Sequence, residues 1–204
     1  MSGKIEFLVK IKDIGIPFVE FNNNANLHAE ELLAPIIDDH KKLLHGFTQL
    51  NQRRTARILK SYRVSEEASQ AMESIKTPQT WLIITEDWCG DSAQNIPFLF
   101  MMSLLNPNIN IKIIYRDENL DIIDKYLTNG GRAIPKVIGL DTDGNELFQW
   151  GPRPEVAKKL VKDWKESGLK KEEFNKKLHL WYGRDRGKTF EKEFIELFPK
   201  MFRE

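Results

Sequence analysis

Apolar positions along the chain change period twice. Through residue 75 they recur at helical spacing, first at Leu27, Leu32, Leu33, Ile36 and Ile37, then at Leu43, Leu44 and Phe47. Pro35 ends or restarts a helix there, and Gln52 to Tyr62 is a basic segment. Ser65 opens a further helix with Glu66 and Glu67 in its first turn, where the helix dipole favours anions, and Thr77-Pro78 stops it.

From Thr80 strands and helices alternate. Trp81 to Ile84 reads as a buried strand, Ser92 to Leu105 as a helix containing Pro97, and Ile109 to Tyr115 as a second strand. Asn119 to Leu127 places Leu120, Ile123 and Leu127 on one face, which predicts a helix ended by Asn129-Gly130-Gly131. Lys136 to Leu140 and Glu146 to Gln149 follow as strands, and Asp143-Gly144 between them is a hairpin signal. After Gly151-Pro152, a helix opened by Pro154 carries Val156, Leu160, Val161 and Trp164 as a stripe suited to covering the sheet. Leu169 to Glu204 holds two more helical patterns, with Phe190, Phe194 and Phe198 on one face that should dock the tail onto the rest. The expected layout is a helical N-terminal extension over 1–75, an α/β domain over 76–167 and a helical C-terminal extension over 168–204.

Length and composition fit this layout, since 204 residues with 41% apolar content are enough for one domain with extensions. No apolar run reaches the ~18 residues of a membrane span, and no secretory leader is recognisable, so a cytoplasmic protein with no membrane association is expected. The net charge of +1 splits into +5 from Gly151 onward and −4 before it. Because the tail interleaves its acids with its bases, as in Lys170-Lys171-Glu172-Glu173, it reads as solvated helix faces rather than a nucleic-acid surface. His28, His40, His45 and His179 lack the i, i+4 spacing of a metal site, and neither a metal nor a cofactor is expected.

The chemistry concentrates at Trp88-Cys89-Gly90-Asp91-Ser92, because Cys89 is the only cysteine of the chain. One sulfur can join another molecule through a mixed disulfide, but it cannot close an internal disulfide. A cysteine where a helix begins after a buried strand meets unpaired N–H groups and the positive end of the helix dipole, which favour thiolate. Gly90 leaves the turn open, and Ser92 is placed to donate its hydroxyl to the sulfur. Glu86, Asp87 and Asp91 oppose deprotonation. The second constellation is Arg132-Ala133-Ile134-Pro135-Lys136. Pro135 must stand at the first residue of its strand. A cis bond before it costs only about 0.5–1 kcal/mol and would turn the Ile134 backbone outward to pair with an extended substrate. Arg132 and Lys136 flank that platform, where they could hold a substrate carboxylate.

With both motifs in this order, the chain resembles the thioredoxin superfamily over about Thr80 to Trp164. Trp88 to Ser92 matches the family's Trp-Cys-Gly-x-Cys motif except at its last position, and Ile134-Pro135 matches its Ile-Pro motif about 45 residues later. The two ends of the chain resemble, more loosely, additions seen in a bacterial thioredoxin-like subgroup. The resemblance implies a thioredoxin-like α/β fold, a central mixed sheet flanked by helices, with helical extensions at both termini. Ser92 stands where the resolving cysteine would be, Ile83 where the family usually keeps a buried acid, and Asp91 replaces the usual proline.

The expected activity is therefore a monothiol thiol-disulfide exchange. Cys89 attacks a protein or small-molecule disulfide held against Ile134 and Pro135 with Trp88 shielding one side, and a low-molecular-weight thiol resolves the product. Two other readings stay open: a redox-inactive peptide- or protein-binding module of the same fold, and an iron-sulfur carrier formed by a dimer with one cysteine from each chain. The chain is expected to be a monomer or weak dimer.

Overall fold

A computed structural model describes residues 3–31 and 38–198. The expected helical positions Leu32, Leu33, Pro35, Ile36 and Ile37 lie outside the described residues, as does the end of the tail. Four helices come first: α1 (Gly3–Ile14), α2 (Phe18–Glu30), α3 (Asp39–Ser61) and α4 (Glu66–Glu73). Asp38 caps α3 by accepting the His40 and Lys41 N–H groups, and the Ser65 hydroxyl caps α4 through Ala68 N–H. The sequence then alternates as β1 (Gln79–Thr85), α5 (Gly90–Ser103), β2 (Ile109–Tyr115), α6 (Leu120–Ile123), β3 (Lys136–Leu140) and β4 (Glu146–Trp150). It closes with α7 (Glu155–Glu166), α8 (Lys171–Asp185) and α9 (Lys188–Ile195).

The strands form one mixed sheet in the order β2-β1-β3-β4, with β1 parallel to β2 and the other pairs antiparallel. All seven residues of β1 are buried, as a central strand covered on both faces requires. On one face Trp81, Ile83, Ile113, Val137, Phe148 and Trp150 pack with α2, α4, α5 and α9. On the other, Leu82, Ile84, Ile114, Ile138 and Leu140 pack with Leu8 and Ile11 of α1 and with Ile122 and Ile123 of α6. The N-terminal helices are thus part of the sandwich. Between α1 and α2, Ile16 exchanges two backbone hydrogen bonds with Ile113 at 2.8 and 2.9 Å, covering part of the free edge of β2. Gly139 on β3 has no room for a side chain, since a Cβ there would lie 2.1 Å from the Phe148 ring.

Three elements differ from what periodicity predicts. The helix expected over Asn119 to Leu127 is a single turn that buries Ile122, Ile123 and Tyr126, whereas Leu120 and Leu127 are exposed. The stripe on α7 does not cover the sheet. Ala157 and Val161 pack with Phe174, Leu178 and Tyr182 of α8 in a separate cluster, and Val156 is exposed. On α3 the expected apolar positions Leu43 and Phe47 are exposed, while the buried face carries Thr48, Asn51, Thr55 and Ile58. A long polar helix face is interior here because it has hydrogen-bond partners waiting for it, described below.

Phe190, Phe194 and Phe198 dock the tail as the stripe predicts. Phe194 is fully buried, with ring centroids 5.3 Å from Trp81, 5.5 Å from Phe148 and 5.5 Å from Phe190. Truncating it removes the centre of this aromatic cluster. Phe194→Ala is expected to cost about 3–5 kcal/mol in urea unfolding; a loss below about 1 kcal/mol would show that the tail is not part of the cooperative core.

Candidate functional site

β1 ends at Thr85 and α5 begins at Gly90, two residues earlier than the sequence suggests, so Cys89 is the N-cap residue, with φ −76° and ψ 114°. Its N–H donates to the Glu86 carbonyl at 3.2 Å, which closes the turn. The Ile134–Pro135 bond is cis, and the Cys89 thiol donates to the Ile134 carbonyl at 3.4 Å. The fold therefore brings Cys89 and the Ile134-Pro135 segment together from 45 residues apart.

The sulfur is largely withdrawn from water, Cys89 being 8% exposed. Burial, reinforced by the charge of Asp91, pushes the thiol up to about 11, and the opposing pull of the Ser92 hydroxyl and the Ser92 and Asp91 N–H groups is weaker. Thus the helix N-terminus does not win here: desolvation decides, and the resting group is a thiol. The close partner of the Ser92 hydroxyl is Thr85 Oγ1, at 2.5 Å.

Asp91, expected to oppose deprotonation, is itself buried beside the thiol. Tyr182 O–H donates to Asp91 Oδ1 at 2.8 Å, and Arg153 pairs with Oδ2. Asn95 Nδ2 donates both to the Asp91 carbonyl at 2.7 Å and to the Tyr182 oxygen at 3.1 Å. Burial pushes the carboxyl above its ordinary value, and Arg153 and Tyr182 oppose that shift without cancelling it. Arg153 comes from the turn before α7 and Tyr182 from α8, both outside the two motifs.

The N-terminal segment supplies the opposite wall. Asn51 Nδ2 donates to the Asp87 carbonyl at 2.9 Å, Thr48 O–H to Asp87 Oδ1 at 3.1 Å, and His28 meets Asp87 Oδ2 at 2.6 Å. These bonds explain the polar buried face of α3 and fix the loop that carries Trp88 and Cys89. Trp88 is half-buried under the Arg116 guanidinium, 5.0 Å from its ring centroid. Of the residues flanking the platform, exposed Arg132 is engaged by Asp124 through two bonds of 2.6 and 2.8 Å. Lys136 is buried, and desolvation together with Lys158 lowers its ammonium.

Helix α8 closes over the turn. A Cβ on Gly90 would stand 2.9 Å from His179 Cε1 and 3.4 Å from Arg54 Nη1, so a larger residue there would have to push the ends of those two side chains aside. Glu86 is a further interior carboxyl: Oε1 accepts the Asp117 N–H at 2.8 Å, but burial outweighs that bond and pushes the group up to about 7.

Comparison with known proteins sets this geometry in context. The thioredoxin family profile matches residues 37–165. This chain belongs to the thioredoxin family. No curated protein matches it. A solved protein of unknown function from Pseudomonas aeruginosa is similar at 20% identity, with a TM-score of 0.63 over 93% of this chain and 95% of the other. An HIV epitope scaffold is similar at 22% identity, with a TM-score of 0.61 and the same coverage of 93% and 95%. At such identities the likeness is one of fold. Its coverage takes in helices at both ends, so this thioredoxin-family chain shares more with those structures than the central domain.

In this family member, two substitutions test the electrostatics. Asp91→Asn keeps the shape while removing the charge nearest the thiol, so Cys89 alkylation by iodoacetamide at about pH 8 should speed up about five- to tenfold. An unchanged or slower rate would remove Asp91 as a cause of the raised thiol. For Glu86, a folded value above that of an exposed carboxyl means that its burial favours the native state below about pH 4.5, and that this advantage is lost as pH rises through about 7. The melting temperature of Glu86→Gln relative to the parent should therefore rise between about pH 5 and pH 8; a constant difference would contradict the assignment.

Proposed function

We propose that this thioredoxin-family chain is a monothiol thiol-exchange protein of a reducing cytoplasm. The observation that carries the reading is Cys89 Sγ at the start of α5, 3.4 Å from the Ile134 carbonyl next to Pro135. An extended substrate pairing with the Ile134 backbone would present its disulfide to that sulfur. The Cys89 thiolate attacks one substrate sulfur, forming the Cys89–substrate disulfide and expelling the other sulfur as a thiolate that takes up a proton. The thiolate of a small external thiol then attacks the substrate sulfur, leaving Cys89 reduced and the substrate joined to the external thiol. With a single cysteine in the chain, that external thiol completes the cycle.

The raised thiol sets the speed. At pH 7 a thiol titrating near 11 is ionised to about one part in ten thousand, roughly 300-fold less than one at ~8.5. The greater nucleophilicity of a more basic thiolate recovers about tenfold, leaving exchange about 30-fold slower than for an exposed cysteine. The same observation favours a second reading, a binding module in which Ile134, Pro135 and Trp88 hold a peptide while Cys89 stays a thiol. Intact-mass measurement after incubation with glutathione disulfide separates the two. Thiol exchange predicts one adduct that forms faster as pH rises from about 7 to 9.5, is removed by added thiol and is absent from Cys89→Ala. No adduct across that range would leave the binding module.

A further inference from the structure

The cations around Cys89 are unequally matched. Arg153 is paired with Asp91, Arg116 with Asp117 and Arg132 with Asp124. Arg54 makes no salt bridge among the described residues, although it is half-buried; its Nη1 donates to Asn51 Oδ1 at 2.9 Å. Burial and neighbouring Arg57 lower the guanidinium to about 10 against the weaker pull of the Asp91 carboxylate, which still leaves it charged at neutral pH. Asp91 is already paired with Arg153, so Arg54 is only partly matched, and a partly matched charge held partly out of water carries a cost that an incoming anion would relieve.

Opposite Arg54, across Gly90, stands His179. Gln94 Nε2 lies 3.4 Å from His179 Nδ1, and a hydrogen bond donated there leaves the ring proton on Nε2. That Nε2 is 3.0 Å from the position a Gly90 Cβ would take. Burial, with Arg54 and Arg153 nearby, lowers the imidazole to about 4, so at neutral pH it is a neutral N–H donor. Gly90, Arg54 and His179 are each half-buried, so this side of the Cys89 turn still meets water, whereas Ile134 and Pro135 are buried. Two donors of net positive charge, one from each terminal extension, therefore flank the solvent-facing side of the reactive turn.

We infer that Arg54 and His179 form a carboxylate-recognition pair that selects anionic disulfide substrates for Cys89. The inference rests on Cys89 acting in thiol exchange. Arg54 receives the carboxylate as a charged donor, and His179 supplies a second hydrogen bond that a cation-only surface would lack.

The test compares two disulfides on the full-length protein, glutathione disulfide with its carboxylates and uncharged hydroxyethyl disulfide, by the rate of Cys89 adduct formation. Arg54→Gln changes the charge near the sulfur equally for both reagents, so the ratio of rates isolates recognition. That ratio, anionic over neutral, should fall about tenfold in Arg54→Gln and stay nearer the parent value in Arg54→Lys. In the parent it should also fall as salt is raised, and in Arg54→Gln it should be nearly insensitive to salt. Equal losses with both disulfides, or a ratio unmoved by the substitution, would overturn the inference while leaving thiol exchange standing. Failure of both disulfides to modify the parent protein would overturn the exchange reading together with this one. The neutral disulfide and the far-ultraviolet circular dichroism report whether each variant is folded.

Discussion

Withdrawal of one sulfur atom from water is the constraint around which the rest of the molecule is arranged. The Cys89 thiol sits at a helix N-terminus, where backbone N–H groups favour the thiolate, yet burial and the Asp91 carboxylate hold it protonated, near 11. Its proton rests on the Ile134 carbonyl. That carbonyl is also the group an extended substrate would use, so the resting contact and the proposed substrate contact compete for one acceptor. A substrate that takes the carbonyl displaces the thiol proton and removes one of the interactions that favour the protonated form.

Both terminal extensions serve this arrangement. Helix α3 lays Thr48 and Asn51 against the loop ending in Cys89, and α8 of the C-terminal extension brings Tyr182 to Asp91, where it joins Arg153 from the turn before α7. Each contact satisfies a polar group that burial would otherwise penalise by about 1–3 kcal/mol. Helix α9 anchors the tail by a different means, aromatic packing against Trp81 and Phe148. The apolar contacts hold the helices in place, and the polar ones define the surroundings of the sulfur.

Much of this was legible in the sequence. The Trp88 to Ser92 motif behind a buried strand, and Ile134-Pro135 at the head of another, identified the two segments that meet. The Asp143-Gly144 turn and the Phe190, Phe194, Phe198 stripe placed a hairpin and a docked tail. What periodicity could not reveal is polar burial. Thr48 and Asn51 of α3 are interior because Asp87 accepts their hydrogen bonds, and a hydropathy pattern scores such a face as solvated. The same blindness hid Tyr182, Arg153 and His179, whose partners lie 91, 62 and 85 residues away in sequence. Asp91 was legible as a charge opposing ionisation of the thiol, but not its burial or its partners Arg153 and Tyr182. Leu43 and Phe47 failed in the opposite direction, as spaced apolar residues left facing solvent.

Because the chain has one cysteine, labelling with cysteine carrying 13C at Cβ gives a single resonance whose shift follows thiol ionisation directly. Titrating that resonance should give a midpoint near 11. A midpoint at or below the ~8.5 of an exposed cysteine would contradict the account, because it would mean that the helix N-terminus, not desolvation beside Asp91, governs the sulfur.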